Sequence, residues 1–268
     1  MNTRRRWSVV LVFCLLSAKS MAAEPLTIAA AADLRFALAA ILTAFQAQQP
    51  AEMAIPQVIY GSSGKISSQI QQGAPYDVFF SADHRYTQML FQAGLTTDAG
   101  TVYAHGRIVL YSTVHDVQQL RLTDLTAPQF RYIAIAQPEH APYGDRAKQA
   151  LVAAGVWTQL TAKMVYGENI AQVAQLAQTG AADIAIVALA LVQQPATTYR
   201  VPTKPAVTSN YQLIDASWHR PLLQSYTLTK RGAHNPQAQQ LLKFIASPQA
   251  QQILQQYGFE LPKPPVQP

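Results

Sequence analysis

The chain has 268 residues, 49% of them hydrophobic and 13% charged, which supports one large or two small packed domains and excludes a disordered chain. Its formal charge of +6 is concentrated at the start. Arg4, Arg5, Arg6 and Lys19 lie in the first 23 residues, and without them 16 basic residues face 14 acidic ones. That near-balance excludes an electrostatic nucleic-acid binder.

In chain order, "TRRRW" and the apolar run Val9–Ala18 read as the basic and hydrophobic parts of a secretory signal, too short to span a bilayer. "MAAEP" offers cleavage after Ala22 or Ala23, so 1–23 is expected to be a signal peptide and the protein periplasmic. The single cysteine, Cys14, lies inside the hydrophobic run without the flanks of a lipidation site, which leaves a mature chain without thiols, suited to an oxidising compartment.

"LTIAAAADL" predicts a strand ending at Asp33, followed by a helix with Phe36, Leu38, Ile41, Leu42 and Phe45 on one face. "MAIPQVIY" predicts a strand, "GKISSQIQQG" a helix closed by Gly73, "YDVFFSA" a buried strand and "HRYTQMLFQAG" another helix. A second alternating unit occupies roughly 109–209. Its strands are "RIVLYS", "YIAIAQP", "KMVYG" and "ADIAIVAL", and its helices are "YGDRAKQALVAAG" and "ENIAQVAQLAQTG". After it, "QSYTLTK" predicts a strand, and two helices with proline in the first turn end the chain. Alternation of this kind predicts α/β lobes whose mainly parallel sheets carry helices on their faces.

The six histidines have no ligand partners at helical or hairpin spacing, so no metal site is expected. No Gly-x-Ser-x-Gly elbow is present. "GSSGK" (Gly61–Lys65) is too short to wrap a triphosphate and has no hydroxyl directly after its lysine. Taken alone, it is either an ordinary serine cap or a site for one anion at a helix start, where unpaired amides and the helix dipole face outward. Similar strand-to-helix junctions recur at Asp33, at Tyr143–Gly144 and at Glu168–Ile170. In open α/β sheets such junctions lie at the carboxyl ends of strands, where ligands bind. Two junctions come from each unit, so a cleft between them would be an anion trap that needs no basic residue.

On "GSSGKISSQIQQGAPYDVFFSAD", "PEHAPYGDRAKQAL", "GENIAQVAQLAQTGAADIAIVAL" and "QQYGF", the sequence resembles the substrate-binding proteins of molybdate ABC transporters. The resemblance implies a two-lobed (type II) periplasmic binding protein. Its first lobe would be 24–108 plus 210–268 and its second 109–209. The ligand would be molybdate or tungstate, held as an oxyanion by hydroxyls and backbone amides, with no cofactor, no protein-bound metal and no catalysis. The partner would be a membrane permease driven by a separate ATPase, and the protein a monomer.

Carried over by position, the anion-binding serine falls on Ser63 with Ser62 beside it, and the backbone contacts fall on Tyr143 and Ile170. Where some members carry a ligand-binding tyrosine this chain has Ala188. The first junction, which usually offers Ser, Thr or Asn, is Asp33 here, and a carboxylate next to a dianion is repulsive by several kcal/mol. Three resolutions are open. Asp33 pairs with Arg35 or Lys65 and offers only its amide, or it is protonated in the bound state, or it accepts a proton from a ligand such as hydrogenphosphate or arsenate. A sensor of the same fold and a hydrolase using Ser63 are the other expectations.

Overall fold

The structure is a computed structural model that describes residues 25–50, 53–193 and 210–262. The expected signal peptide, 1–23, and the segment 194–209 lie outside the described residues. Among the described residues, no helix is long and apolar enough to cross a membrane.

The first half begins with β1 (Thr27–Ala31), α1 (Arg35–Gln46), β2 (Gln57–Gly61), α2 (Ser63–Gln71), β3 (Val78–Ser81), α3 (His84–Gln92) and β4 (Thr101–Gly106). The chain then crosses at Arg107 into β5 (Ile108–Tyr111), β6 (Ile133–Ala136), α4 (Pro142–Ala153), α5 (Trp157–Leu160), β7 (Met164–Gly167), α6 (Ile170–Gln178), β8 (Ile184–Ala188), α7 (Leu189–Val192) and β9 (Tyr211–Leu213). It returns through β10 (Leu222–Leu228), α8 (Pro236–Ile245) and α9 (Pro248–Gln256).

Two five-stranded sheets result, in the orders β2-β1-β3-β10-β4 and β7-β6-β8-β5-β9. β1, β2 and β3 are parallel, as are β6, β7 and β8. The expected mainly parallel sheets are instead mixed. β10 runs antiparallel to β3 and β4, and β5 runs antiparallel to β8 and β9. These are the strands by which the chain enters or leaves a sheet, and they arrive from the other lobe in the opposite direction. The second sheet also extends past the expected border at 209, because β9 pairs with β5 before the chain returns.

All four residues of β3 and all five of β8 are buried, as unbroken apolar runs predict for strands covered on both faces. Phe80 sits edge-on to Tyr103 and Tyr226, which stack on each other at 5.8 Å. Phe45 of α1 meets Phe244 of α8 at 5.6 Å, so the C-terminal helices close the first core. The parallel strands all deliver their carboxyl ends toward the gap between the sheets, where the helices α2, α4 and α6 begin.

The two lobes touch across that gap at a buried arginine. Arg146 of α4, with 4% of its side chain exposed, pairs with Asp83 at 2.8 Å and with Asp145. It also donates to the carbonyls of Arg220 (2.9 Å) and Pro221 (3.1 Å) on the returning connection. Removing one partner of a buried ion pair strands the other charge. Arg146→Met is therefore expected to destabilise the protein by about 3–5 kcal/mol, read from urea denaturation.

Candidate functional site

Asp33, Ser62, Ser63, Tyr143 and Ile170 line one small cavity together with Ala31, Gly61, Ala82 and Ala141. Among the described residues, no lysine or arginine lines it. Each residue is brought there by a strand end and a helix start.

Ser62 caps α2 with extended backbone (φ −79°, ψ 145°), yet its hydroxyl makes no bond to the helix amides. It lies 2.9 Å from Nδ1 of His140 instead. Ser63, the first residue of α2, is fully buried, and its Oγ accepts from the amide of Ala82 at 2.9 Å. A hydroxyl that accepts from a backbone amide keeps its proton for another acceptor, and the cavity lies beside it.

From the second lobe, α4 starts at Pro142, so the amide of Tyr143 falls in the first turn, among those without intrahelical partners. The first residue of α6 is Ile170, behind the cap Asn169. Asn169 Oδ1 accepts from the amides of Ala171 (3.0 Å) and Gln172 (3.1 Å), so the cap does not use the amide of Ile170. The cavity thus collects helix starts from both lobes, with positive dipole ends and donor groups directed at it.

Asp33 occupies a short 3-10 turn (Ala32–Leu34) between β1 and α1 and is completely buried. Its Oδ2 accepts from the Tyr143 hydroxyl at 2.9 Å and from Gln224 Nε2 at 2.8 Å. Gln224 Nε2 also approaches the Tyr143 oxygen at 3.1 Å. Asp33 Oδ1 is buried without a hydrogen-bond partner among the described residues. Burial raises the carboxyl to about 6, and hydrogen bonding from Tyr143, from Gln224 and from the amides of Asp33 and Leu34 offsets only part of that rise. Burial and the neighbouring Asp33 also hold the Tyr143 phenol well above its ordinary range, so Tyr143 is a permanent donor to the carboxyl.

The expected pairing of Asp33 with a cation is corrected by this arrangement. Arg35 lies over the Tyr60 ring, 5.5 Å from its centroid. Lys65 forms an ion pair with Glu168 across the cleft. Both point out of the cavity, because a residue two or more positions along a helix start faces a different direction from the residue at the junction.

Three functional neighbours were not read from sequence. Gln224 was visible only as the first residue of a predicted strand. Arg146 sat inside a predicted helix. His140 stood in "PEHAPYGDRAKQAL", which carries the family resemblance without giving this histidine a role. The Ser62–His140 contact also bears on hydrolysis. No carboxylate hydrogen-bonds the other ring nitrogen of His140 among the described residues, so the imidazole lacks the orienting group of a serine hydrolase.

Residues 26–260 match the model of the bacterial extracellular solute-binding proteins. The chain belongs to that family. Among solute-binding proteins, it is 32% identical over 204 residues to the molybdate-binding protein ModA of Azotobacter vinelandii, covering 75% of this chain and 77% of that one. It is 32% identical over 207 residues to ModA of Rhodobacter capsulatus, covering 75% of each. The structure of the periplasmic molybdate-binding protein of A. vinelandii superposes with a TM-score of 0.79 at 30% identity, covering 89% of this chain and all of that one. The two sheets with flanking helices are accordingly the two-lobed fold of a periplasmic solute-binding protein.

Proposed function

We propose that the protein is the exported, periplasmic substrate-binding component of a molybdate ABC transporter, delivering the anion to a membrane permease. Tungstate, of the same shape and charge, is expected to bind as well. The observation that carries this reading is the cavity itself. Hydroxyls of Ser62 and Ser63 and the starts of α2, α4 and α6 surround a space that no cation lines among the described residues, in a chain similar to proteins named for binding molybdate.

Neutral donors are suited to a fully dehydrated dianion. They supply hydrogen bonds without a counter-charge that would hold the ligand too firmly for release. Molybdate and sulfate carry equal charge, so the longer metal–oxygen bonds and the cleft size distinguish them. The similarity favours molybdate over the phosphate-like alternative. Ser62, Ser63, Tyr143 and Ile170 would supply the donors, and Asp33 would complete the wall. The role is binding and delivery, without chemistry on the ligand.

The test is a melting-temperature panel with molybdate, tungstate, sulfate and phosphate. A ligand at 100 times its Kd adds about 2.7 kcal/mol, which for a chain of this size raises Tm by roughly 5–10 °C. Molybdate and tungstate are expected to do so and sulfate and phosphate are not. Stabilisation by phosphate alone would remove the molybdate reading.

A further inference from the structure

Ser62 and His140 belong to opposite lobes, one at the start of α2 and the other in the loop between β6 and α4. They meet at 2.9 Å between Oγ and Nδ1. The main chain fixes the meeting point, because the amide of Gly64 donates to the carbonyl of His140 at 2.9 Å. Ser62 is 4% exposed and faces the cavity.

A hydroxyl has one proton and two lone pairs, and a neutral imidazole carries its proton on either nitrogen. Two arrangements of this pair are therefore possible. If the imidazole proton is on Nε2, Ser62 donates to Nδ1 and presents lone pairs to the cavity, which repel an anion. If the proton is on Nδ1, the imidazole donates to Ser62 and the serine proton is free for the cavity. Only the second supplies a donor to an oxyanion.

We propose that His140 is a positioning residue for oxyanion binding, donating from Nδ1 to Ser62 Oγ and thereby turning the serine proton to the anion. The inference rests on the oxyanion-binding reading of the cavity. Burial and the nearby Lys65 hold the imidazole below its usual range, so the selection is between tautomers of a neutral ring. His140 is contributed by the second lobe, so the donor is completed only when the lobes meet. A ligand that stabilises the closed arrangement then also fixes the tautomer, which links closure to the hydrogen-bond polarity of the first lobe.

Calorimetry with molybdate tests the proposal on five proteins: wild type, His140→Leu, His140→Asn, Ser62→Ala and the double variant His140→Leu/Ser62→Ala. Asparagine places an amide N–H where Nδ1–H stood. His140→Leu is expected to weaken binding about tenfold, equivalent to about 1.4 kcal/mol. His140→Asn should restore binding to within about threefold of wild type. In the Ser62→Ala background, His140→Leu should have no further effect, since the residue acts through the serine. On labelled wild-type protein, the 15N resonance of His140 Nδ1 should become pyrrole-type when molybdate is bound, a readout that requires no variant to fold.

Wild-type-like binding by His140→Leu, an undiminished loss in the Ser62→Ala background, or a pyridine-type Nδ1 in the complex would each overturn the role of His140 and leave the oxyanion reading intact. Failure of the wild type to bind any tetrahedral oxyanion would overturn both.

Discussion

Asp33→Asn is expected to bind molybdate roughly tenfold more tightly than the wild type at pH 7 and roughly a hundredfold more tightly at pH 8, and equally at pH 5. The wild type should gain affinity as pH falls from 8 toward 6, and the variant should be flat. Asp33 is fully buried and has no cation partner among the described residues, and burial raises its carboxyl to about 6. If it stayed ionised, a −1 charge and a −2 charge 4 Å apart would repel by about 8 kcal/mol at an effective dielectric of 20. Protonating a group whose pKa is about 6 costs about 1.4 kcal/mol at pH 7 and about 2.7 at pH 8. Protonation is the smaller cost, so the bound state holds the proton.

The fraction of protein already protonated then limits apparent affinity, and it falls tenfold per pH unit above 6. Asparagine mimics the protonated carboxyl. Its oxygen accepts from Tyr143 and Gln224 as Oδ2 does. Its amide nitrogen takes the place of Oδ1, which has no partner among the described residues, and adds a donor toward the cavity. Calorimetry at three pH values reads the effect, and a variant as pH-dependent as the wild type would contradict it.

The same group affects stability without ligand. A carboxyl raised from 3.8 to about 6 means that the folded state holds more protons than the unfolded state between those values. Stability is therefore lost as pH rises through that window, by roughly 3 kcal/mol in total, and Asp33→Asn should abolish that slope.

Gly64→Ala is expected to weaken molybdate binding by about a hundredfold or more while leaving the stability of the unliganded protein unchanged or slightly higher. Gly64 is in the first turn of α2, where alanine is the better helix former by about 1 kcal/mol. A Cβ there would lie 2.6 Å from the carbonyl oxygen and 2.9 Å from the Cα of His140. Both are backbone atoms of the opposite lobe, and neither can rotate aside. The lobes must part, which separates the donors of α2 from those of α4 and α6. Small-angle scattering is the second readout. The wild type should contract with molybdate and the variant should not. A variant that binds and contracts like the wild type would show that this contact does not limit closure.

The alternation of strands and helices was legible because each junction carries its own local signals, an apolar run, a polar or glycine turn and an amphipathic face. For the same reason the four junctions that line the cavity could be read from one chain. The direction of β10 and β5 was not legible, since a strand's sequence pattern does not record which way its neighbour runs. The partners of Asp33 were also out of reach. Tyr143 is 110 residues away and Gln224 is 191 residues away, and only the packing of two lobes brings them to one carboxylate. Nearness in sequence pointed instead to Arg35 and Lys65, which the helix geometry turns toward Tyr60 and Glu168. His140 illustrates the same limit, because its loop gains meaning only from Ser62 in the other lobe.

On the proposed function, one tetrahedral dianion sits between the lobes on neutral donors. Anomalous diffraction at the tungsten edge, from crystals of the protein with tungstate, tests it most directly. A single strong peak is expected in the cavity, with oxygens at hydrogen-bond distance from the hydroxyls of Ser62 and Ser63 and from the amides of Tyr143 and Ile170. A peak on the protein surface, or one in the cleft coordinated by lysine or arginine side chains, would contradict it.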